Sequence, residues 1–234
     1  MRPKIAILAC DALRKEIDTI TSDDKWVVSK EYLEFGLHLT PPELRDVILD
    51  KLSQLEGKVD AVFLGYGICQ ALKDVPSMAK VPLAMIETED CIAALLTPDR
   101  YHDEKDNNGI TWFYPAGWAE YGMQGITQLF HLDSVDDERY PPEFFLDLLF
   151  DGFKRCLFID TGMDGSERCY SNSELLASKL GLRHESTNGT LDLIREAWER
   201  TRTIAQQKAE AAGTMMSSNE VRPTDSIKAD TIDG

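Results

Sequence analysis

Short apolar runs alternate with segments of helical periodicity along most of the chain. Runs with the length and composition of buried strands lie at 4–10, 26–33, 61–64, 82–86, 110–114 and 156–160. Apolar residues spaced three and four apart, together with capping signals, predict six helices. The first begins just after an N-cap at Asp11, and the others lie at 40–55, 92–96, 143–153, 172–180 and 190–198. This alternation predicts an α/β fold, with a mainly parallel sheet flanked by helices on both faces.

Two changes in composition indicate how the chain is divided. The stretch 133–139 is acidic, and the chain from Gly213 onward is rich in Ser, Thr and Asp with hardly an apolar pair. We therefore expect one α/β domain over 1–212. The alternative is that this domain consists of two halves, 1–132 and 140–212. Residues 213–234 are expected to form a disordered polar tail.

The net charge of the chain limits the classes of molecule that the protein is expected to bind. The chain of 234 residues carries 25 Lys and Arg against 41 Asp and Glu, a formal net charge of -16. No Lys/Arg-rich run is present, so nucleic acid and anionic membrane are not expected as partners. No apolar run has the length of a membrane span, and the N-terminus does not resemble a signal peptide, so a cytoplasmic location is expected.

The chain has five cysteines. An odd number in a chain without a secretion signal does not suggest a disulfide framework, so the thiols should be reduced, either free or metal-bound. Cys156, at the start of a strand, is expected in the core. Cys169 is expected at an exposed helix start.

Three of the cysteines come at or just after the ends of predicted strands. Cys10, Cys69 and Cys91 follow the first, third and fourth apolar runs, and His38 precedes the helix over 40–55. The carboxyl ends of parallel strands meet at one edge of a sheet, where ligands bind. We therefore expect these four side chains to lie close together.

Three thiolates and one imidazole suit zinc, or iron if one coordination position stays open. If Cys69 is a ligand, Gly65 and Gly67 would let the chain turn sharply and bring the backbone close to a bound ion. The alternative is that each cysteine is a small core side chain, because buried free cysteines are common and no C-x-x-C pair is present.

Five segments resemble an uncharacterised family in their order and approximate spacing. They are ILACDALRKEI, LHLTPPEL, FLGYGICQAL, EDCIAALL and WFYPAGW. Over about residues 4–190 the chain is similar to the "domain of unknown function 1638" family. The resemblance implies cysteines at the positions of Cys10, Cys69 and Cys91 and a histidine at that of His38. It also implies an association with corrinoid-dependent methyltransferase components, which are often encoded beside members of the family.

The chain departs from the pattern of that family at three places. Asp11 and Gln70 stand where a glycine usually follows the cysteine, and Thr97–Pro98 replaces a Gly-Ser pair. These changes add side chains next to the proposed site.

Further residues near the predicted strand ends are candidates for binding a substrate, each with a structural alternative. The substrate-binding candidates are Tyr66, Gly67, Asp90, Tyr114, Trp118 and Asp160. Asp90 is equally suited to cap the following helix, and the aromatic residues to packing. Asp160 opens the turn-forming sequence DTGMDG, which could also hold an anion on its backbone N–H groups.

Three functions are compatible with these features. The first is a metal-binding enzyme or accessory protein, with zinc or iron as cofactor, that acts on a small molecule and is linked by the resemblance to corrinoid-dependent methyl transfer. The second is a non-catalytic small-molecule-binding or adaptor protein of a methyltransferase system, with the cysteines in the core. The third is a redox protein that forms a transient disulfide.

Overall fold

The apolar runs of the first half of the chain form a parallel sheet in the strand order β2-β1-β3-β4. Its strands are Ile5–Cys10 (β1), Val27–Leu33 (β2), Ala61–Gly67 (β3) and Leu83–Ile86 (β4). The central strands β1 and β3 are buried at every position, because helices cover both faces of the sheet. The computed structural model that we describe covers residues 2–135 and 139–219, without the side chains of residues 35 and 215–219.

Helices connect the strands of this sheet, as parallel pairing requires. They are Arg14–Thr21 (α1), Pro41–Leu55 (α2) and Val75–Met78 (α3), with 3-10 helices at Asp11–Leu13 and Phe35–Leu39. Asp11 is the first residue of a 3-10 helix and makes no N-cap bond. Its carboxylate instead accepts hydrogen bonds from the Arg14 and Tyr121 side chains.

The second half of the chain forms a separate parallel sheet in the order β5-β6-β7. Its strands are Thr111–Pro115 (β5), Arg155–Asp160 (β6) and Arg183–Asn188 (β7). The helices between Ile86 and β7 are Cys91–Leu96 (α4), Pro98–Asn107 (α5), Ala116–Ala119 (α6), Gly122–Leu129 (α7), Pro142–Leu149 (α8) and Ser166–Lys179 (α9), with a 3-10 helix at Leu132–Ser134. β7 was not predicted, because its sequence RHESTN has no apolar residue.

The last helix, Asp192–Asn219 (α10), returns to the first sheet and packs against β3 and β4. Trp198 lies edge-on to Phe63 of β3, with the ring centroids 5.7 Å apart. Ile194, Ala197 and Ala205 are fully buried in the same core. The first sheet is therefore covered by the C-terminal end of the described chain.

The structure confirms the α/β class and the parallel strands. The predicted domain division remains a prediction. The strands form two sheets among the described residues, and the change of sheet falls between β4 and β5. The reason is that β5 pairs with β6 and not with β4.

The helix ends also differ from prediction. α8 ends at Leu149 instead of continuing to residue 153, and α9 begins six residues before the predicted start. α10 continues to Asn219, so residues 213–219 are helical where a disordered tail was predicted. Residues 220–234 of that predicted tail lie outside the described residues. No helix in the described ranges combines the length and apolar character that a membrane crossing requires.

Candidate functional site

Cys10, Cys69 and Cys91 line one cavity of about 600 Å³ at the carboxyl edge of the first sheet. Cys10 is the last residue of β1, Cys69 lies in the loop after β3, and Cys91 begins α4 after β4. Because these strands are parallel and adjacent, their carboxyl ends lie at the same edge. This confirms the prediction that the three segments leave the sheet together.

Residues from the second half of the chain close one side of this cavity. Pro115 and Trp118, at the end of β5 and in α6, contribute to its wall. Gly117 between them lies against the first half so closely that an added Cβ would be 1.9 Å from the Ala12 carbonyl oxygen. The cavity therefore lies where the two halves of the chain meet.

The Cys10 and Cys91 thiols are held in the protonated state. Burial raises the pKa of the Cys10 thiol, and the neighbouring Cys91 raises it further. Burial likewise raises the pKa of Cys91 to about 12, with added contributions from the charges of Asp90 and Cys69. Since each thiol affects the next, the three sulfur atoms are electrostatic neighbours.

Tyr66 places a hydroxyl group among the cysteines. The residue is 5 % exposed, and its Oη atom is buried without a hydrogen-bond partner among the described residues. Burial raises its pKa, and the proximity of the Cys10 and Cys91 thiols raises it further. The phenol therefore keeps its proton and can donate a hydrogen bond to a bound molecule.

Asp90 serves as the N-cap of α4, the alternative that the sequence suggested for it. Its Oδ1 accepts hydrogen bonds from the backbone N–H groups of Ile92 and Ala93, at 2.9 and 2.8 Å. Its Oδ2 accepts one from the Tyr101 hydroxyl at 2.7 Å. Asp90 thus lines the cavity with both carboxylate oxygens already engaged.

Gly65 and Gly67 provide room for neighbouring segments. A Cβ on Gly65 would lie 2.5 Å from Ala9 Cβ, and one on Gly67 would lie 2.7 Å from Asp90 Cα. Both glycines belong to β3, and neither has the left-handed φ of a turn glycine. The predicted sharp turn is therefore wrong, and these glycines instead leave room for Ala9 of β1 and for Asp90 at the start of α4.

His38 lies in an exposed position at the cavity, in the 3-10 helix before α2. Its ring stacks on Trp118, with centroids 5.1 Å apart and planes within 8°. The two residues come from different halves of the chain.

The predicted metal ligands Cys10, His38, Cys69 and Cys91 thus line one cavity. Among the described residues, no group of three or more His, Cys, Asp or Glu side chains is arranged to hold a metal ion. The donor set itself suits a soft metal, because three thiols and an imidazole are the usual structural ligands of zinc. Metal uptake would have to remove the protons from these thiols.

Tyr114 and Asp160 do not line the cavity, in contrast to the other substrate-binding candidates. Tyr114 is fully buried in the core of the second half, where its hydroxyl donates to the Gly122 carbonyl. Asp160 accepts a hydrogen bond from the Gly162 N–H at 2.8 Å, which closes the turn after β6. Both were grouped with the site because the second sheet was not foreseen.

Other residues around the site were predicted differently or not at all. Lys105 of α5 lines the cavity, but this helix was not predicted. Pro98 at its start and Asp99 in its first turn are the signals that could have revealed it. Cys156 is core, as expected, whereas Cys169 is 2 % exposed and belongs to the same core rather than to an exposed helix start.

The positions that depart from the family pattern have distinct surroundings. The Asp11 carboxylate is turned toward Arg14 and Tyr121, and Gln70 lines the cavity. Thr97 joins α4 to α5 with φ 71°, a backbone conformation that favours glycine.

A family model described as "Protein of unknown function (DUF1638)" matches residues 32–198, which is more than half of the chain. The matched range includes His38, Tyr66, Cys69, Cys91 and Trp118 and begins after Cys10. A search of curated proteins found no match. The chain therefore belongs to the DUF1638 family.

Proposed function

We propose that this protein binds a small organic molecule in the cavity, over a zinc or iron ion held by Cys10, Cys69 and Cys91 with His38 as a fourth donor. The observation that supports this proposal is that cysteines from three separate segments line one cavity. Such convergence is unnecessary for core packing alone, because Cys156 and Cys169 fill core positions without lining it.

When bound, zinc with an open position would hold a substrate thiol as thiolate or polarise a substrate oxygen. The residues around it have separate tasks in this proposal. The Tyr66 hydroxyl donates to the substrate, and Trp118 excludes water from one side. Asp90 holds the start of α4, and therefore Cys91, in place.

The second candidate is small-molecule binding without a metal. Two observations favour it: much of the cavity wall is apolar, and burial keeps Cys10 and Cys91 protonated. In this case the thiols are part of the wall, and the protein is a carrier or adaptor.

Metal content separates the two candidates. We expect Cys69→Ser to remove most of the zinc or iron from protein purified without a metal-affinity tag, as measured by mass spectrometry, and His38→Ala to remove less. Cys156→Ser is the matched control, because it adds a hydroxyl to a core away from the cavity and should lower stability but not metal content. Unchanged metal in both Cys69→Ser and His38→Ala would reject the metal site.

The pH dependence of zinc binding provides a second test of the same site. Since Cys10 and Cys91 must lose protons to become ligands, zinc affinity should rise with pH and each bound ion should release protons. Calorimetry in two buffers of different ionisation enthalpy measures this release. Zinc binding without proton release would argue against these thiols as ligands.

A link to corrinoid-dependent methyl transfer is part of the proposal on the strength of the family resemblance. A purified corrinoid protein from such a system is the partner to test, by analytical ultracentrifugation of the mixture. The proposed site needs reduced thiols, so we propose the cytoplasm as the compartment in which the protein works.

A further inference from the structure

The polar groups that line the cavity differ in whether they already have partners. Both oxygens of Asp90 are engaged, and Glu89 is turned toward His102, with 3.7 Å between Oε1 and Nε2. The Tyr66 hydroxyl and the Lys105 ammonium group make no hydrogen bond or ion pair with the described residues. These two groups are therefore available to a ligand.

Lys105 lies at the exposed rim of the cavity, with Nζ 4.7 Å from the centroid of the Tyr101 ring. The Tyr101 hydroxyl is in turn held by Asp90, so the ring has a fixed place beside the cavity. Contact with this ring keeps the ammonium group near the opening. An anionic group of a ligand would gain an ion pair there without displacing a carboxylate of the protein.

Tyr66 lines the same cavity at a buried position near the cysteines. A buried hydroxyl donor without an acceptor costs free energy, and an acceptor on a bound molecule would remove that cost. Much of the remaining cavity wall is apolar and includes Leu44, Ile68, Ile92, Leu95 and Trp118. A cavity of about 600 Å³ has the size of a small-molecule site.

We propose that the ligand is an amphipathic anion. It has a carboxylate or similar group at Lys105, an apolar body along the wall, and a hydrogen-bond acceptor at the Tyr66 hydroxyl. This inference rests on the small-molecule site proposed above, but it does not require the metal.

Two fluorescent probes with the same aromatic body test the anionic end. 8-Anilinonaphthalene-1-sulfonate carries a negative charge, whereas N-phenyl-1-naphthylamine is neutral. We expect the charged probe to bind the wild-type protein more tightly, and Lys105→Met to weaken it by roughly fivefold while leaving the neutral probe unchanged. Ile68→Trp should block both probes, because this half-exposed side chain lines the cavity and a larger one would fill it.

A neutral ketone probe, 6-propionyl-2-dimethylaminonaphthalene, tests the acceptor end, because its emission shifts to the red when its carbonyl accepts a hydrogen bond. The bound probe should emit further to the red in the wild-type protein than in Tyr66→Phe. This spectral difference would not result from a merely structural role of Tyr66.

The results with these probes test the anionic ligand and the small-molecule site separately. Equal affinity for the charged and neutral probes, or no effect of Lys105→Met, would overturn the anionic ligand while leaving the small-molecule site intact. Identical emission in the wild type and Tyr66→Phe would overturn the acceptor. Failure of every probe to bind would overturn the site and the inference together.

Discussion

At Gly67 the end of β3 passes so close to Asp90 that only a hydrogen atom fits in place of a side chain. Gly67→Ala would place Cβ 2.7 Å from Asp90 Cα, so β3 and the segment before Cys91 would have to separate. We expect the free energy of unfolding to fall by about 1 to 3 kcal/mol, the usual cost of overpacking. Urea denaturation measures the change.

Gly213→Ala is the matched control for this substitution. Gly213 lies in α10 with no atom within 4 Å of an added Cβ, so alanine should be neutral or slightly stabilising there. Equal stability of both variants would mean that the contact at Gly67 relaxes without cost.

Glu16 of α1 carries a carboxyl group that is buried against the turn after β6. It is 1 % exposed, Oε1 accepts a hydrogen bond from Thr161 Oγ1 at 2.6 Å, and Oε2 has no partner among the described residues. Burial raises its pKa above the ordinary value of 4.5. The folded protein therefore holds this proton more tightly than the unfolded chain does.

It follows that the contribution of Glu16 to stability falls as the pH rises from 4.5 through its folded pKa. Glu16→Gln keeps the shape and cannot lose a proton, so the variant should gain stability relative to the wild type between pH 4 and pH 8. Urea denaturation at both values measures this difference. Exposed Glu167→Gln is the control and should show no such gain. A constant difference for Glu16→Gln would mean that folding does not change the pKa of Glu16.

At the scale of elements, Asp90 determines how α4 begins. Asp90→Ala removes the acceptor of two backbone N–H groups and of the Tyr101 hydroxyl, so we expect a loss of about 1 to 2 kcal/mol in unfolding free energy. Asp90→Asn keeps an oxygen for the backbone groups and should lose less. Equal losses in the two variants, measured by urea denaturation, would indicate that the negative charge matters more than the cap.

The sequence pattern was sufficient to locate the edge of the first sheet where Cys10, Cys69 and Cys91 lie. The reason is that β1 and β3 are apolar and end at recognisable polar segments. The pattern was insufficient for β7, whose residues are polar because no position of this edge strand is buried. Nor could it show that β5 belongs to another sheet, because strand pairing depends on packing between distant segments. Tyr114 and Asp160 were misplaced for that reason.

The length of α10 was underestimated for a different reason. Residues 205–212 contain mainly Ala, Gln, Glu and Lys, which favour helix but present few large apolar side chains. Periodicity therefore fades after Trp198, although Ala205 and Ala209 are still buried.

At the scale of the whole molecule, burial along α10 predicts where the chain can be shortened. Ala209 is 5 % exposed and is the last residue of the described core. A chain that ends after Gly213 should keep nearly the same melting temperature, because it retains every residue of α10 that is buried among the side chains the structure describes. A chain that ends at Leu191 loses Ile194 and Trp198, and it should fail to show a cooperative thermal transition.

Calorimetry of the two shortened chains measures these outcomes. A large drop in melting temperature for the chain that ends after Gly213 would show that residues beyond it contribute to the fold. A cooperative transition in the chain that ends at Leu191 would show that the first sheet is stable without its covering helix.

The return of α10 to the first sheet also determines when that sheet can be completed in a living cell. β4 ends at Ile86, yet the covering residue Trp198 is made only after the whole second sheet. At roughly 5 to 20 residues per second, a ribosome needs on the order of ten seconds for that interval. During this interval, Phe63 and its apolar neighbours are not covered by α10. The nascent first half should therefore be a substrate for chaperones until translation is almost finished.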